Sequence, residues 1–286
     1  MINLVVMVGI QGSGKSTKAR ELAKTLNAVI LSSDEIRKTN PSWDNNKVFV
    51  YLYDQMNNYL SQHQNVILDA TNTTLKSRQA IFNSLRVANV CVSAHVMNTN
   101  EWDCRIRVEQ RNQDPNEHYV PLEVIDRYIN NFQIPVKSEG FSFVTFENNP
   151  SFEINACLSM IDETIDFDQQ NHHHTFDLYN HSARAGLSYG DLCVGLFHDM
   201  GKLFCKTFDD KGEAHYYNHA NYGAYYLLTH LHTIPENKRT EVLVIANYHM
   251  CVYDWKTEKT HAKYKKLLGN WYDKLIKFHE ADEGAH

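Results

Sequence analysis

The stretch Leu4-Val5-Val6-Met7-Val8-Gly9-Ile10-Gln11-Gly12-Ser13-Gly14-Lys15-Ser16-Thr17 decides the fold of the first half of the chain. Five apolar residues lead into G-x-x-x-x-G-K-[ST], a pattern that predicts a strand, a phosphate-binding loop and a helix start. Glycines let backbone N–H groups converge on phosphate, and the helix N-terminus adds partial positive charge there. We expect Lys15 to hold the β- and γ-phosphates and the Ser16 hydroxyl to ligate Mg²⁺. The residues predicted to bind the nucleoside triphosphate in this loop are Gly9, Gln11, Gly12, Ser13, Gly14, Lys15, Ser16 and Thr17.

Length, charge and cysteine content narrow the class of protein. A chain of 286 residues favours two domains, and a net charge of −6 gives no overall basic field to attract long nucleic acids. A polynucleotide substrate would therefore be held by a few local contacts at one end. No apolar run approaches the roughly 20 residues that span a bilayer, so we expect no membrane partner. Six cysteines without a Cys-x-x-Cys pair predict reduced thiols in a cytoplasmic protein.

Residues 1–150 are predicted to form an α/β domain with a parallel sheet flanked by helices. The apolar runs predict strands at 4–8, 28–31, 65–72, 90–96 and 141–146, and helical spacing marks residues 17–26, 51–60 and 75–86. Acidic residues follow two of these strands, at Asp34 and Asp69. Ligands of parallel α/β sheets bind at the carboxyl ends of the strands, so both acids should meet the phosphate loop there.

Asp34 and Arg37 lie three residues apart at a predicted helix start, so they share a face. A carboxylate there could accept the proton of an attacking hydroxyl, and the arginine could bind a substrate phosphate. The alternative for Asp34 is a helix N-cap. Asp69 could support Mg²⁺ or the substrate hydroxyl, or be only a strand-end turn residue, and Asn72 could belong to an Asx turn.

Arg107 and Arg111 lie four residues apart on one face of a predicted helix. Phosphoryl transfer depends mainly on positioning and charge neutralisation, for which an arginine lid is suited. The alternative is a solvated surface helix.

These residues resemble the 5′-OH polynucleotide kinase domain of end-healing enzymes over roughly the first 150 residues. The resemblance is carried by Gly9–Ser16, Ser33-Asp34-x-x-Arg37, Asp69-x-x-Asn72 and Arg111-Asn112. It implies that Asp34 is the general base for the 5′-hydroxyl, that Arg37, Asp69 and Asn72 contact or place the substrate, and that Arg111 belongs to the lid over the donor. Where the family has a second lid arginine this chain has Pro115, so either Arg107 replaces it or one arginine suffices.

The second half changes character after a joint in which we place the domain boundary between 148 and 170. Helical periodicity at 178–187, 192–203, 220–230, 239–249 and 262–281 predicts an all-α domain over 165–286. Histidines are dense in this half, and one of them is followed directly by an acid in His198-Asp199. Imidazole and carboxylate groups together suit divalent transition metals, and two such ions can activate water beside a phosphate. The alternative for each single histidine is a hydrogen-bonded core or surface residue.

The set resembles the HD phosphohydrolase superfamily from about residue 171 to the end. The resemblance implies that His181, His198, Asp199 and Asp282 hold one metal, and that His219 and His249 hold a second with Asp199 bridging. It also suggests that Lys202 meets a substrate phosphate, with a plain surface lysine as the alternative. His174 could line the substrate pocket or lie in a solvated turn.

Together the two resemblances predict a bifunctional RNA end-healing enzyme, a kinase for 5′-OH ends fused to a hydrolase for 2′,3′-cyclic or 3′-phosphate ends. The expected cofactors are ATP or GTP, Mg²⁺ for transfer, and a pair of ions such as Mn²⁺, Ni²⁺, Co²⁺ or Fe²⁺ for hydrolysis. The expected partners are RNA or DNA ends and a separate RNA ligase. Two alternatives are a signalling nucleotide phosphohydrolase with a regulatory P-loop domain, and a small-molecule kinase fused to an HD hydrolase.

Overall fold

The computed structural model describes residues 2–115, 117, 119–171 and 175–285. The chain divides into two compact units. Unit 1 comprises Met1–Tyr128 and Pro135–Asn148, and unit 2 comprises Ile129–Ile134 and Asn149–His286. The division after Asn148 falls at the start of the range predicted for the boundary. Residues 129–134, which the sequence assigned to the first domain, instead cluster with unit 2.

Up to residue 148 the chain alternates strands and helices, as the apolar runs predicted. The elements in chain order are β1 (Ile2–Val8), α1 (Lys15–Leu26), β2 (Ala28–Ser32), α2 (Ser33–Thr39), α3 (Asn45–Ser61), β3 (Asn65–Asp69), α4 (Leu75–Ser84), β4 (Val90–Val96), α5 (Glu101–Asn112), α6 (Glu123–Ile129) and β5 (Phe143–Phe146). The third helix begins before the predicted residue 51, because Asp44 caps it by accepting a hydrogen bond from the Lys47 amide at 2.8 Å.

The five strands form one parallel sheet in the order β2-β3-β1-β4-β5, which confirms the predicted parallel α/β architecture of unit 1. β1 lies in the centre, with Val5 opposite Ile67 on one side and Ser93 on the other. Its residues Leu4–Val8 are buried, as expected for a central strand of a sheet covered on both faces. The chain moves from β1 to β2 and β3 on one side and then crosses to β4 on the other. This switch point opens a crevice at the carboxyl end of β1.

Unit 2 is mainly helical. Its helices and strands after residue 148 are α7 (Ile154–Asp162), α8 (Leu178–Tyr189), α9 (Leu192–His198), α10 (Lys202–Cys205), β6 (Thr207–Phe208), β7 (Ala214–His215), α11 (His219–Thr229), α12 (Arg239–Tyr248), α13 (Glu258–Leu268) and α14 (Asn270–Glu283).

The structure corrects the all-α prediction in three places. β6 and β7 pair antiparallel, so the unit contains a short β-hairpin that the sequence analysis left out. The helix predicted over 192–203 ends at His198, and α10 begins after a break of three residues. The helix predicted over 262–281 is two helices, because Gly269 takes φ 54° and ψ −126°, which ends α13 and starts α14 in a new direction.

All six cysteines are free thiols. Within the described part of the chain, no helix combines the length and the apolar character that crossing a membrane requires.

Candidate active sites

The phosphate loop of unit 1 connects β1 to α1 and is shaped by two left-handed glycines. Gly12 and Gly14 have φ angles of 78° and 90°. A Cβ at Gly12 would lie 2.3 Å from the carbonyl oxygen of Cys104, so only glycine fits there. Gly14 precedes α1 and gives the helix no side-chain cap, which leaves the first amides of α1 facing the crevice. The loop therefore has the backbone geometry of an anion cradle.

A cleft of about 1090 Å³ extends from this loop along the carboxyl ends of the strands. Most of the predicted nucleotide and substrate residues line it: Gln11, Gly12, Gly14, Lys15, Ser16, Thr17, Asp34, Arg37, Asp69 and Arg111. Gly9 and Ser13 do not line it. The Gly9 amide donates to the Thr71 carbonyl at 2.9 Å, and Ser13 is buried behind the loop. These two positions shape the loop from within.

Lys15 folds back on the loop, where its Nζ donates to the Ile10 carbonyl at 2.7 Å. Burial lowers the pKa of this ammonium group, although Asp69 and Asp34 act in the opposite direction. The hydroxyl of Ser13 and the Nε of Arg111 are buried and lack a hydrogen-bond partner among the described residues. Arg111 lines the cleft, so its Nε suits an anionic ligand there, whereas Ser13 lies behind the loop.

Asp34 and Arg37 form an ion pair in this cleft, with Arg37 Nη1 donating to Asp34 Oδ1 at 2.9 Å. The N-cap of α2 is Ser32, whose Oγ accepts from the Glu35 amide. Asp34 lies in the first turn and keeps 66% of its side chain exposed. Its carboxylate is therefore available to a substrate, and the capping alternative does not account for it.

Asp69 ends β3 level with Ser32 of β2 and is buried at the floor of the cleft. Asn72, which was predicted to bind the substrate, does not lie in the lining of the cleft. It has φ 47°, it is 4% exposed, and its Nδ2 donates to the carbonyls of Met7 and Ala70. It does not line the cleft, because its amide ties the end of β3 to β1.

Arg107 and Arg111, two of the three arginines of α5, both line the cleft. Arg107 Nη1 donates to the Gly12 carbonyl at 3.2 Å, so this side chain reaches the phosphate loop itself. Arg111 lies one turn later on the same face. The solvated-helix alternative therefore fails for this pair, and the geometry favours Arg107 as the second cation above the loop.

Unit 2 brings six of its predicted residues, from five separate segments, to one point. His181 lies in α8, His198 and Asp199 at the end of α9, His219 at the start of α11, His249 after α12, and Asp282 in α14. All six are at least 93% buried. A cavity of about 820 Å³ is lined by His181, Asp199, Lys202, His219, His249 and Asp282, together with residues that the sequence did not single out. His174 lies outside the described residues.

The two carboxylate oxygens of Asp199 face two different sets of imidazoles. Oδ2 lies 3.1 Å from His198 Nε2 and 3.5 Å from His181 Nε2. Asp282 Oδ1 completes this first set, at 3.0 Å from His181 Nε2 and 3.2 Å from His198 Nε2. The other oxygen of Asp199, Oδ1, lies 3.1 Å from His219 Nε2 and 3.4 Å from His249 Nε2.

Backbone carbonyls fix the orientation of these imidazoles. Nδ1 of His198 contacts the Gly195 carbonyl at 2.7 Å, Nδ1 of His219 contacts that of Tyr216 at 2.7 Å, and Nδ1 of His249 contacts that of Ala246 at 3.0 Å. A neutral imidazole that donates through Nδ1 presents a lone pair at Nε2. The Nε2 atoms of His219 and His249 are 3.2 Å apart, and both face the same carboxylate oxygen.

Lone pairs that face each other and a carboxylate repel unless a proton or a cation lies between them. His198 Nε2, Asp199 Oδ1 and Asp282 Oδ1 are buried, and their close polar contacts among the described residues are with the imidazoles and carboxylates of this cluster. Burial alone would lower the pKa of His198, but Asp199 and Asp282 raise it to about 10. Burial alone would raise the pKa values of Asp199 and Asp282. The nearby cationic groups outweigh this effect, so both pKa values lie well below their usual range. The donor set therefore fits divalent transition metals, which replace protons at such ligands.

Lys202 is not a surface lysine. It is 5% exposed, and its Nζ contacts Asp199 Oδ2 at 2.7 Å and Gln169 Oε1 at 2.8 Å. Because it lines the cavity beside the carboxylate, it could also meet an anionic substrate.

The comparisons with known proteins give one family match, which falls in the first half of the chain. A family model described as an AAA domain matches residues 4–135. No curated protein matches the chain. Similar solved structures include a chain of the Pnkp1/Rnl/Hen1 RNA repair complex, with 25% identity, a TM-score of 0.41, and coverage of 46% of this chain and 43% of that one. They also include a gluconokinase from Sinorhizobium meliloti 1021, with 13% identity, a TM-score of 0.36, and coverage of 50% and 81%.

The chain spans less than half of the repair-complex chain that it matches. The AAA-domain match and the geometry of the loop indicate a P-loop domain whose backbone suits the phosphates of a nucleoside triphosphate. The family match does not extend into the residues that form the histidine cluster.

Proposed function

We propose that the chain is a bifunctional RNA end-healing enzyme. Unit 1 would transfer the γ-phosphate of ATP or GTP to a 5′-OH polynucleotide end, and unit 2, an HD-type phosphohydrolase, would remove a 2′,3′-cyclic or 3′-phosphate. The observation that carries the proposal is the chemistry of two cavities in one chain. One has an acid and an arginine beside a phosphate loop, and the other has a carboxylate shared between two sets of imidazoles.

In unit 1, Asp34 is the group that accepts the proton of the attacking hydroxyl, since it is an exposed carboxylate in the cleft. Arg37 is already paired with it and can bind a phosphate of the acceptor strand. Lys15, Arg107 and Arg111 surround the loop as cations that stabilise charge on the transferred group. Mg²⁺, when bound through the Ser16 hydroxyl, neutralises the donor phosphates.

In unit 2, His181, His198, Asp199 and Asp282 would hold one metal, and His219 and His249 would hold a second with Asp199 between them. The pair, when bound, supplies a Lewis acid and an activated water. The carbonyl contacts at Nδ1 keep each Nε2 aimed at the metal positions. Lys202 neutralises one carboxylate oxygen and can orient the substrate phosphate.

The two activities belong together chemically. Nuclease-cut RNA often ends in a 2′,3′-cyclic phosphate and a 5′-OH, whereas ligation requires a 3′-OH and a 5′-phosphate. A separate ligase would therefore act on the products of this chain.

The test is product analysis on an RNA that bears a 5′-OH and a 2′,3′-cyclic phosphate, incubated with labelled ATP, Mg²⁺ and Mn²⁺. Asp34→Ala should abolish label transfer and leave phosphate release unchanged, and Asp199→Ala should do the opposite. Glu35→Gln is the matched control, because Glu35 lies next to Asp34 and lines the same cleft. Faster phosphorylation of free nucleosides or sugars than of oligonucleotides would overturn the polynucleotide assignment. Retained hydrolysis in Asp199→Ala would overturn the metal site.

A further inference from the structure

The wall of the unit 2 cavity contains a pair of stacked aromatic rings with no role in metal binding. His215, the last residue of β7, and Tyr217 both line the cavity. Their ring centroids are 5.5 Å apart and their planes differ by only 13°. His215 ends β7, and Tyr217 lies two residues later in the turn that precedes α11.

Asp209 holds the hairpin next to the stacked rings of His215 and Tyr217. Asp209 Oδ1 accepts the amides of Lys211 at 2.8 Å and Glu213 at 3.0 Å, which fixes the hairpin turn. The other oxygen of Asp209, Oδ2, lies 3.5 Å from His215 Nε2. The imidazole is thus anchored on one side and stacked against Tyr217 on the other.

Tyr217 itself is 68% exposed, so most of its ring is left uncovered by protein. It lies two residues before His219, one of the candidate metal ligands. The residue before Tyr217, Tyr216, accepts the Nδ1 contact of His219 through its carbonyl and donates its hydroxyl to the Gln169 carbonyl at 2.6 Å. Because Tyr217 and His219 line the same cavity, a planar group stacked on Tyr217 would share that cavity with a phosphate at the proposed metal site.

We infer that Tyr217, supported by His215, is a stacking platform for the nucleobase of the terminal nucleotide whose phosphate unit 2 hydrolyses. This inference deepens the proposed phosphohydrolase function and rests on it. A nucleotide has a flat aromatic base and a phosphate separated by one sugar, which matches a ring platform two residues from a metal ligand. Stacking accepts any base, because every base has a π face, so the platform fits an enzyme that acts on ends of varied sequence. Glu283 and Asp282 also line the cavity, and Lys202 is the one lysine or arginine among its described lining residues, which favours recognition of a single terminal nucleotide over a long strand.

The experiment compares two substrates on the Mn²⁺-loaded full chain. One is adenosine 2′,3′-cyclic phosphate, and the other is 1-O-methylribose 2′,3′-cyclic phosphate, in which a methoxy group replaces the base. Tyr217→Ala should lower kcat/KM for the adenosine substrate by about 5- to 150-fold, mainly through KM, and leave the base-free substrate unchanged. Tyr217→Phe should retain wild-type values, because it keeps the ring. Phe208→Ala is the matched control, since Phe208 is an exposed aromatic residue of the same hairpin that does not line the cavity.

Equal effects of Tyr217→Ala on both substrates, or no effect on either, would overturn the platform while leaving the hydrolase assignment intact. Failure of the wild-type protein to hydrolyse either substrate would instead contradict the proposed function. In that case calorimetric titration of uridine 3′-monophosphate into the Mn²⁺-treated wild-type and Tyr217→Ala proteins decides the platform directly. Weaker binding by Tyr217→Ala supports it, and equal binding overturns it.

Discussion

Replacing Asp199 with asparagine should remove both metals from unit 2, whereas replacing Asp282 should remove one. Asp199 Oδ1 faces the imidazoles of His219 and His249, and its Oδ2 faces those of His198 and His181. Asp282 contacts only the second of these sets, through His181 and His198. Asparagine has nearly the same shape as aspartate, so each change removes charge and donor strength with little change in packing.

The expected loss of metal affinity depends on whether the replaced residue binds the metal directly or only orients a ligand. Loss of an outer partner that merely orients a ligand weakens metal binding by about 10- to 100-fold. Asp199 is an inner donor to both proposed positions, so Asp199→Asn should weaken each by more than about 100-fold, or about 2.7 kcal/mol per ion. The same change leaves Lys202 buried without its carboxylate partner, which should also destabilise unit 2 before any metal is added.

The assay is native mass spectrometry of the chain after removal of metals with EDTA and titration with Mn²⁺, with circular dichroism to confirm folding. We expect two ions in the wild type, one in Asp282→Asn and none in Asp199→Asn at the concentration that saturates the wild type. His219→Asn should also retain one ion, from the other set. Asp273→Asn is the control, because Asp273 is an exposed residue of the same helix as Asp282.

Equal loss in Asp199→Asn and Asp282→Asn would refute the two-set interpretation, since it would mean that both acids serve one position. Undiminished Mn²⁺ binding in folded Asp199→Asn would refute the metal site altogether. The hydrolysis of p-nitrophenyl phosphate, measured on the same samples, should follow the number of ions bound.

Three further predictions concern the loop, the lid and the pH response. Gly14→Ala should destabilise unit 1 by about 1–2 kcal/mol, because residue 14 has a positive φ. Gly12→Ala should destabilise it by more, because the added Cβ would also lie 2.3 Å from a backbone oxygen. Urea unfolding measures both losses of stability, and equal losses would contradict the steric argument. Arg107→Ala should lower kcat for phosphate transfer by at least about 100-fold in a rapid-quench assay, and a wild-type rate would exclude it from the lid. Partial burial would raise the pKa of Asp191, but Lys238 and the helix amides hold that pKa below its usual value of 3.8. The ionised carboxylate therefore stabilises the folded protein above pH 3.8, and this stabilisation is lost as the pH falls below that value. Asp191→Asn should therefore cost about 1 kcal/mol at pH 7 and flatten the acid limb of the unfolding free energy, whereas an unchanged limb would rule out this pair.

The first half of the fold was predictable because its signals are local and strong. A five-residue apolar run followed by closely spaced glycines has few structural solutions, and β1 with its loop follows it. The rule that parallel strands present their carboxyl ends at one edge then anticipates that Asp34 and Asp69 line one cleft. Neither inference needs knowledge of distant contacts.

Other features depend on contacts that the local sequence does not carry. Asn72 was assigned to the substrate, but its amide bonds to the carbonyl of Met7, 65 residues away in the neighbouring strand. Ser32 and Asp34 are both good helix caps, and only the backbone conformation at Ser32, with φ −101° and ψ 126°, decides between them. In both cases the residue type was informative, and the outcome was set by tertiary structure.

The hairpin of unit 2 was missed because its strands have two residues each, which is too short for period-2 alternation to be seen. The turn signal in Asp209-Asp210-Lys211-Gly212 was present, and it was the only local sign that the chain reverses there. Tyr217 and His215 could not be predicted from the sequence for the same reason, because the hairpin is what brings them into the lining of the cavity.

Stability alone does not explain the buried polar cluster of unit 2, for which we propose cation binding. Buried ionic groups seldom stabilise a fold more than apolar residues of similar volume would, and removing one partner leaves an uncompensated charge. Here four imidazoles and two carboxylates lie together among the helices, and the Nε2 atoms of His219 and His249 are 3.2 Å apart. A fold selected only for stability has no reason to gather so many titratable groups in its interior, where they need protons between them to avoid repulsion. A cation placed between them would replace those protons, so the same geometry would become favourable with a metal bound.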